Sequence, residues 1–411
     1  MTQPGSLTPA QHQRIRIQLA LIPVYGWLLV VWTAYAIDIS PAGRLDRSGH
    51  IKGHDFAHFY VLGEIANDHA AHDLYDFTAQ ADRMDRLVPD YENRFAPIHG
   101  PQLSLLFAPL ARLPYDAAFG VWTGVTCAGY VLCCALLWTT APDRGRYRWL
   151  AMTLAAGYPA FYFLIAFGQS SVLALICITA GYFALRAKRP WLAGLALGSL
   201  IYKPSFGIAL PFVLLYGREW RMIAGAAVAA GLQLGAAAAY YGPDVLRQYV
   251  KAVAHVGQIA DVLEPIPYQM QSLRSFFSVL LPWPGVAWAG YLLAAAAVVV
   301  VAARYWRSGV ALEHRFSVLL LALVLVDPHV NPYDLIAITP VFFLTWPRAA
   351  GAGRSGRVLL VLLYLCYYLP GLSFLPAVTH VQLSVVALVA LMIVLVRVAG
   401  RPARGLSSTS S

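Results

Sequence analysis

Charge is scarce in this chain. Asp, Glu, Lys and Arg make up only 12% of its 411 residues, against roughly 25% in an ordinary soluble domain. So little charge excludes a well-solvated globular domain as the main body of the protein. Cysteine is also rare. Cys127, Cys133, Cys134, Cys177 and Cys366 all lie inside apolar stretches, and none stands in a Cys-x-x-Cys zinc spacing, so they read as small buried hydrophobes. The first apolar run is preceded by sixteen residues and has no small-residue cleavage site; a retained span is expected there rather than a cleavable leader. Low-complexity linkers and clear internal repeats are missing as well.

What the chain has is hydrophobicity, at 59% of residues. Ile17–Ile37, Val286–Ala303 and Val381–Val396 approach the roughly 20 residues that cross a hydrocarbon core of about 30 Å. Every second polar break between such runs is basic: Arg14/Arg16, Arg144 to Arg148, Arg186 to Arg189, Arg304 to Arg315, Arg348 to Arg357 and Arg397 to Arg404. The breaks between these carry Asp55, Gln169, Gln271 to Arg274 and Asp327 to His329 instead. With the basic breaks in the cytoplasm, that side holds 19 of the 30 Lys and Arg, and 17 of the 20 Asp and Glu lie opposite. The net charge of +10 therefore follows the positive-inside rule and is not a nucleic-acid footprint.

This pattern predicts an all-α, polytopic membrane protein with both termini in the cytoplasm. Cytoplasmic residues 1–16 precede a single membrane domain at 17–397, and 398–411 form a basic tail. Spans are expected at 17–37, 116–138, 149–167, 170–186, 222–241, 286–303, 315–326, 335–346, 358–370 and 381–397. Residues 190–216 lie between two basic clusters that should share a side, and their only break is Tyr202-Lys203-Pro204. Two half-length helices forming a re-entrant hairpin with Lys203 at its tip satisfy both constraints, because broken backbone at depth is tolerated when buried in protein. One kinked span that violates the rule at one cluster is the alternative. The hairpin brings the total to about twelve membrane-embedded elements.

The external segment 38–115 is too long for a mere connector. In it, Phe56, Phe59, Tyr60 and Gly63 recur at the period of an amphipathic helix, with Asp55 placed where a carboxylate caps. A cap explains the residue type; a general base at the membrane boundary also explains the aromatics and histidines crowded around it. His54 and His58, with His69, His72, Asp68 and Asp73, have a spacing that could seat a metal, although hydrogen-bonding histidines account for them more simply. Leu103–Leu113 is too short to span and is expected to lie in the interface.

At the outer span ends, Gly168-Gln169-Ser170 reads as a tight turn and Gln271-Ser-Leu-Arg274 as an interfacial anchor. Asp327-Pro-His-Val-Asn-Pro-Tyr-Asp334 is harder to treat as structural. It sets carboxylates, a histidine, an asparagine and a tyrosine between two short apolar runs. A charge at mid-span costs about 2.5–3.5 kcal/mol and marks function by default. Lys203, Arg274 and His329 are the cationic or protonatable groups available to hold an anionic head group.

Taken in order, these motifs resemble glycosyltransferase family eighty-seven, membrane enzymes of the GT-C superfamily that use polyprenyl-phosphate mannose. The resemblance is carried by Asp55-Phe-x-x-Phe-Tyr-x-x-Gly63 with Leu74-Tyr-Asp76, by Phe95-Ala-Pro to Leu105-Leu-Phe-Ala-Pro-Leu110, Trp122 and Gly168-Gln169-Ser170, and by Ala193 to Gly198 with Lys203-Pro204. It continues through Gln271-Ser-Leu-Arg274, Asp327-Pro-His329 and Tyr333-Asp-Leu335. It implies a GT-C-type fold in the inner membrane, with its active site facing the periplasm or cell exterior. The implied reaction transfers a sugar, mannose in the family, from a polyprenyl-phosphate donor to a glycolipid or glycan hydroxyl, with inversion. Asp55 would be the base and Lys203, Arg274 and His329 the phosphate-holding set. His58, Tyr60, Tyr75, Asp76, Gln169, Gln271, Asn331, Tyr333 and Asp334 would bind the substrates. No cofactor is implied beyond the lipid-linked sugar as co-substrate, and metal dependence is open. The chain departs from the family where an aromatic-Pro-Pro element reads Phe95-Ala-Pro and where a late Ser-Pro reads Asp327-Pro328. A secondary transporter or lipid flippase is the alternative, since broken helices also mark transporters. Against it stand a single break and a long, carboxylate-rich external segment.

Overall fold

The computed structural model describes residues 8–89, 94–141, 145, 147–255, 257, 266–349 and 353–399. The predicted cytoplasmic tail falls outside these from residue 400 on, as do Arg144 and Arg146 of one basic break. Among the described residues the only extended pairing is an isolated bridge between Leu45 and Ile51.

The first helix, α1 (Pro9–Asp38), starts at a Thr8–Gln11 capping box with proline in its first turn, where a fixed φ and a missing N–H suit a helix start. The external segment is itself helical: α2 (His54–Asn67), α3 (Phe77–Leu87) and α4 (Pro101–Phe107). After α5 (Tyr115–Trp138) come α6 (Arg148–Ala156) and α7 (Pro159–Phe167), bent by 42° where they meet. Pro159 drives the bend, because it holds Tyr158 in an extended conformation with ψ 118°. Next are α8 (Ser171–Arg186), α9 (Pro190–Gly198), α10 (Ala209–Gly217), α11 (Trp220–Tyr241) and α12 (Asp244–Ala254). The C-terminal part comprises α13 (Leu273–Leu280), α14 (Pro284–Trp306), α15 (Leu312–Val326), α16 (Thr339–Ala349), α17 (Gly353–Tyr368), α18 (Leu375–Thr379) and α19 (Leu383–Ala399).

Five of these elements are long and apolar enough to cross a membrane: Leu21–Asp38 of α1, then α5, α11, α14 and Gly353–Leu372. The bent pair α6–α7 makes a sixth, and α8, α9, α10 and α19 are shorter apolar helices. Large apolar side chains such as Leu29, Val131 and Leu293 point outward and are mostly uncovered, as hydrocarbon-facing residues must be. The chain is thus an all-α polytopic membrane protein. Its axis is α15, in which twelve of fifteen residues are buried; a helix apolar on all sides needs protein on all sides.

Residues 190–217 form the hairpin. α9 runs parallel to α11 along a seam of small residues. A Cβ on Gly194 would stand 2.1 Å from the Met222 carbonyl oxygen, and one on Gly198 would stand 2.3 Å from Ala226 Cα. The start of α9 therefore lies beside the start of α11. α10 comes back to that same end, because only Arg218 and Glu219 separate its last residue, Gly217, from Trp220 at the start of α11. Pro204 forces the turn at the tip, holding Lys203 at φ −132°, ψ 77°.

Two local expectations are corrected. α2 is not a half-exposed amphipathic helix, since ten of its fourteen residues are buried. Leu103–Leu113 is not a single interfacial helix either. It breaks into α4 and a turn at Leu110–Arg112 and packs so closely on α2 that a Cβ at Gly63 would lie 2.6 Å from the Phe107 carbonyl.

Candidate active site

Asp55 is not the cap of α2. Gly53 takes that position at φ +65°, and Asp55 sits in the first turn, where the helix dipole favours a carboxylate. Its oxygens are engaged sideways. His54 Nδ1 lies 2.8 Å from one, Gln169 donates its amide to the other at 2.8 Å, and the Tyr333 hydroxyl lies against both Asp55 and Gln169. Burial pushes the Asp55 carboxyl up, but the His54 bond and charge together with the Gln169 amide outweigh it and hold the pKa below its ordinary value.

Gln169 reaches Asp55 because of the glycine before it. Gly168 ends α7 in the left-handed region at φ +66°, and the Gln169 N–H closes the turn on the Leu164 carbonyl at 3.1 Å. Any Cβ at 168 would meet Phe56 Cβ at 2.6 Å, so only glycine lets the α7–α8 turn dock on the first turn of α2. Trp122 pins the turn from α5, donating to the Gly168 carbonyl at 2.9 Å.

A buried ion pair lies on the other side of Tyr333. Lys203 Nζ, at the hairpin tip, is 2.5 Å from Asp334 Oδ1. Ser171 Oγ donates to the same oxygen at 2.5 Å, and the Asn331 backbone N–H donates to Asp334 Oδ2 at 3.0 Å. Asn331 and Asp334 form a reciprocal capping box at the start of a 3₁₀ turn, Pro332–Ile338. A fully buried carboxylate with two neutral donors and a cation is well compensated. Lys203 Nζ also stands 5.4 Å from the centre of the Tyr333 ring, joining the pair to the Asp55 group.

The loop after α15 completes the cluster. Asp327 Oδ1 accepts the His329 N–H at 2.8 Å, and His329 Nε2 is 3.4 Å from the Asn331 amide. Arg274 Nε and Ser272 Oγ both donate to the Pro328 carbonyl, at 3.0 and 3.2 Å. The Gln271 N–H donates to Val330 at 2.7 Å, and its side chain bridges Gln269 and Ser384. Burial and the Lys203 charge hold His329 below its ordinary pKa. Burial pushes the Asp327 carboxyl up to about 7.

Asp55, Gln169, Lys203, Arg274, His329, Asn331, Tyr333 and Asp334 thus lie in one connected region. His99 extends it, being within electrostatic reach of Lys203, His329 and His58. His58 stacks on Phe95 with ring centres 4.9 Å apart and bonds Gln80 at 3.0 Å; burial lowers its pKa to about 4. Tyr75 touches this edge by donating to the His99 carbonyl at 3.1 Å. Three predicted residues make contacts outside this cluster or between its loops. Tyr60 donates to Leu113, Asp76 is an exposed cap for α3, and Gln271 ties loops together. His54 as the partner of Asp55, Ser171, His99 and Asp327 join this cluster beyond the site residues expected from the sequence. His54 and Asp327 stand in stretches that the sequence marks, whereas Ser171 and His99 carry no local signal. Among the described residues no three His, Cys, Asp or Glu side chains are grouped to hold a metal ion.

An apolar cavity of about 300 Å³ lies among α5, α6, α16 and α17. Tyr158 lines its near end and donates its hydroxyl to the Leu335 carbonyl, next to Asp334. Trp138, Tyr147 and Trp346 line the far end.

No curated protein and no solved structure is similar enough to match the chain. The profile of glycosyltransferase family 87 matches residues 98–328, more than half of the chain and the part that carries Gln169, Lys203, Arg274 and Asp327. This membrane protein belongs to glycosyltransferase family 87.

Proposed function

We propose that this glycosyltransferase takes a sugar, mannose by analogy with the family, from a polyprenyl-phosphate donor and inverts it onto a hydroxyl of a glycolipid or glycan. The observation that carries this reading is the joining of Asp55 and the Lys203–Asp334 pair through Gln169 and Tyr333. A carboxylate and a largely buried cation stand on two sides of Tyr333, which suits a reaction that removes a proton at one end and builds phosphate charge at the other. Asp55 is the base. Lys203, Arg274 and His329 hold the phosphate, while His58, Tyr75, Gln169, Asn331 and Tyr333 line the sugar and acceptor. The apolar cavity beyond Tyr158 suits an isoprenoid chain. The site faces the periplasm or cell exterior from the inner membrane, opposite the basic breaks.

Asp55→Asn preserves the size of the side chain and removes its basicity. It is expected to lower transfer from polyprenyl-phosphate mannose by at least ~100-fold, with the thermal melt unchanged within a few degrees. Wild-type rates in the folded variant would remove the base. The hairpin break at Lys203 is also what a transporter would show; solute uptake into proteoliposomes without any sugar transfer would favour that reading.

A further inference from the structure

The mechanism above uses Asp55 and the Lys203–Asp334 pair but leaves one buried carboxyl without a task. Asp327 is wholly inaccessible to solvent. Its Oδ1 accepts the His329 N–H, whereas Oδ2 has no hydrogen-bond partner among the described residues. A buried carboxylate oxygen left so is costly, whereas a carboxyl proton there removes the charge. The groups facing Asp327 come from every neighbouring element: Lys203 from the hairpin tip, Asp334 and His329 from its own loop, and Arg274 and Tyr291 from α13 and α14. Lys203 is already matched by Asp334 at 2.5 Å. A second carboxylate in this space would have to share Lys203 with Asp334, and Arg274, which also faces it, turns its Nε to the Pro328 carbonyl. Two neighbouring carboxyls whose surroundings push them apart in this way take opposite protonation states, and so opposite roles.

We propose that Asp327 stands neutral among the phosphate-holding side chains and is the general acid that protonates the departing phosphate. The step rests on the glycosyl-transfer reading above. The acceptor oxygen bonds to the anomeric carbon and its proton passes to Asp55. The bond from the anomeric carbon to the phosphate oxygen breaks, with its electron pair going to the phosphate. The phosphate, now a monoester, takes the proton from Asp327. The new Asp327 carboxylate is held by Lys203 and Arg274 until products leave and water entering the vacated site carries the proton off Asp55 and returns one to Asp327. The acidity of the donor suits the task, because a carboxyl titrating near 7 is close to a phosphate monoester's second pKa of about 6.

The test uses the full chain in nanodiscs, synthetic polyprenyl-phosphate mannose as donor and a membrane extract as acceptor source, with release of polyprenyl phosphate as the readout. The wild type should lose activity as pH rises through about 7. Asp327→Asn keeps the shape and cannot give a proton. It should be slower by roughly 100-fold at pH 6, the low end for general acid catalysis, and its rate should no longer fall between pH 6 and 8. Asp327→Ser, a smaller replacement should the amide fold poorly, should behave alike. Infrared difference spectra should show a neutral-carboxyl band in the wild type that is lost at pH 8 and in Asp327→Asn. Folded variants that keep both the wild-type rate and its alkaline fall overturn the acid while leaving glycosyl transfer standing, and so does absence of the band. A wild type that releases no polyprenyl phosphate, even though the band is present, removes the transfer reading and the acid with it.

Discussion

His58 shows how a single buried side chain ties this fold to pH. It is 4% exposed and bonded to Gln80, and burial lowers its pKa from 6.5 to about 4. In the unfolded chain the ring gains a proton near pH 6.5; in the fold it resists one until about pH 4. The unfolded state therefore binds more protons in this window, so the contribution of His58 is full above pH 6.5 and is lost as pH falls towards 4. The loss is on the order of 3 kcal/mol. Replacing His58 with Gln, which can still bond Gln80, should flatten the fall in melting temperature between pH 6.5 and 4.5; an unchanged slope would place the titration elsewhere. At this scale the sequence was partly legible. Asp55, Lys203 and Asp334 stood out because ionisable groups among apolar runs need a reason to be there. Ser171 and His99 did not, because a serine at a helix start and a histidine in a proline-bounded turn carry no local mark of the distant residues they meet. The capping role expected for Asp55 fails for a related reason: it takes the nearest backbone as partner, and the partners are side chains, His54 beside it and Gln169, 114 residues on.

The packing of α9 on α11 positions Lys203. Gly194 and Gly198 allow the two backbones to touch, and a Cβ on Gly198 would lie 2.3 Å from Ala226 Cα, a backbone atom that cannot swing aside. Gly198→Val should therefore push α9 outward and destabilise the protein by about 1–3 kcal/mol. Transfer should fall further than the folded fraction does, because Lys203 moves with α9. Gly231→Ala on α11 has open space around its Cβ; it should leave activity intact and raise stability by about 0.5–1 kcal/mol. Melting curves measured beside transfer rates separate the two outcomes, and equal effects from both substitutions would refute the seam. The hairpin itself was legible from charge alone, since two basic clusters must share a side. The all-round burial of α2 was not. Its i, i+3, i+4 pattern describes one apolar face, while His58 on another face is covered by Phe95, His99 and Gln80 through contacts that no local period encodes.

For the whole molecule, the asymmetry of charge sets the orientation. With basic breaks inside, a cysteine placed at exposed Ser48 in the external segment should react with a membrane-impermeant maleimide in intact cells. One at Ser308, after α14, should react only once the membrane is opened. The five native cysteines are buried or half-buried and add little background. The reverse pattern would invert the topology and place the Asp55 region in the cytoplasm. Helical class and span order could be read from hydropathy because the bilayer imposes length and internal hydrogen bonding on every crossing. Which side chains meet inside was visible only in three dimensions, since α15 is apolar on every side and says nothing about its neighbours.

The half-length hairpin has a bearing on biogenesis. Each arm is too short to be taken into the bilayer as a span of its own, for nine residues of helix cover only about 14 Å. The arms must therefore settle after α11 has been threaded, using its glycine-lined flank as a berth. The lysine at their tip is thus seated only once α11 is in place, and it then waits for α15 and the loop that follows to bring it Asp334.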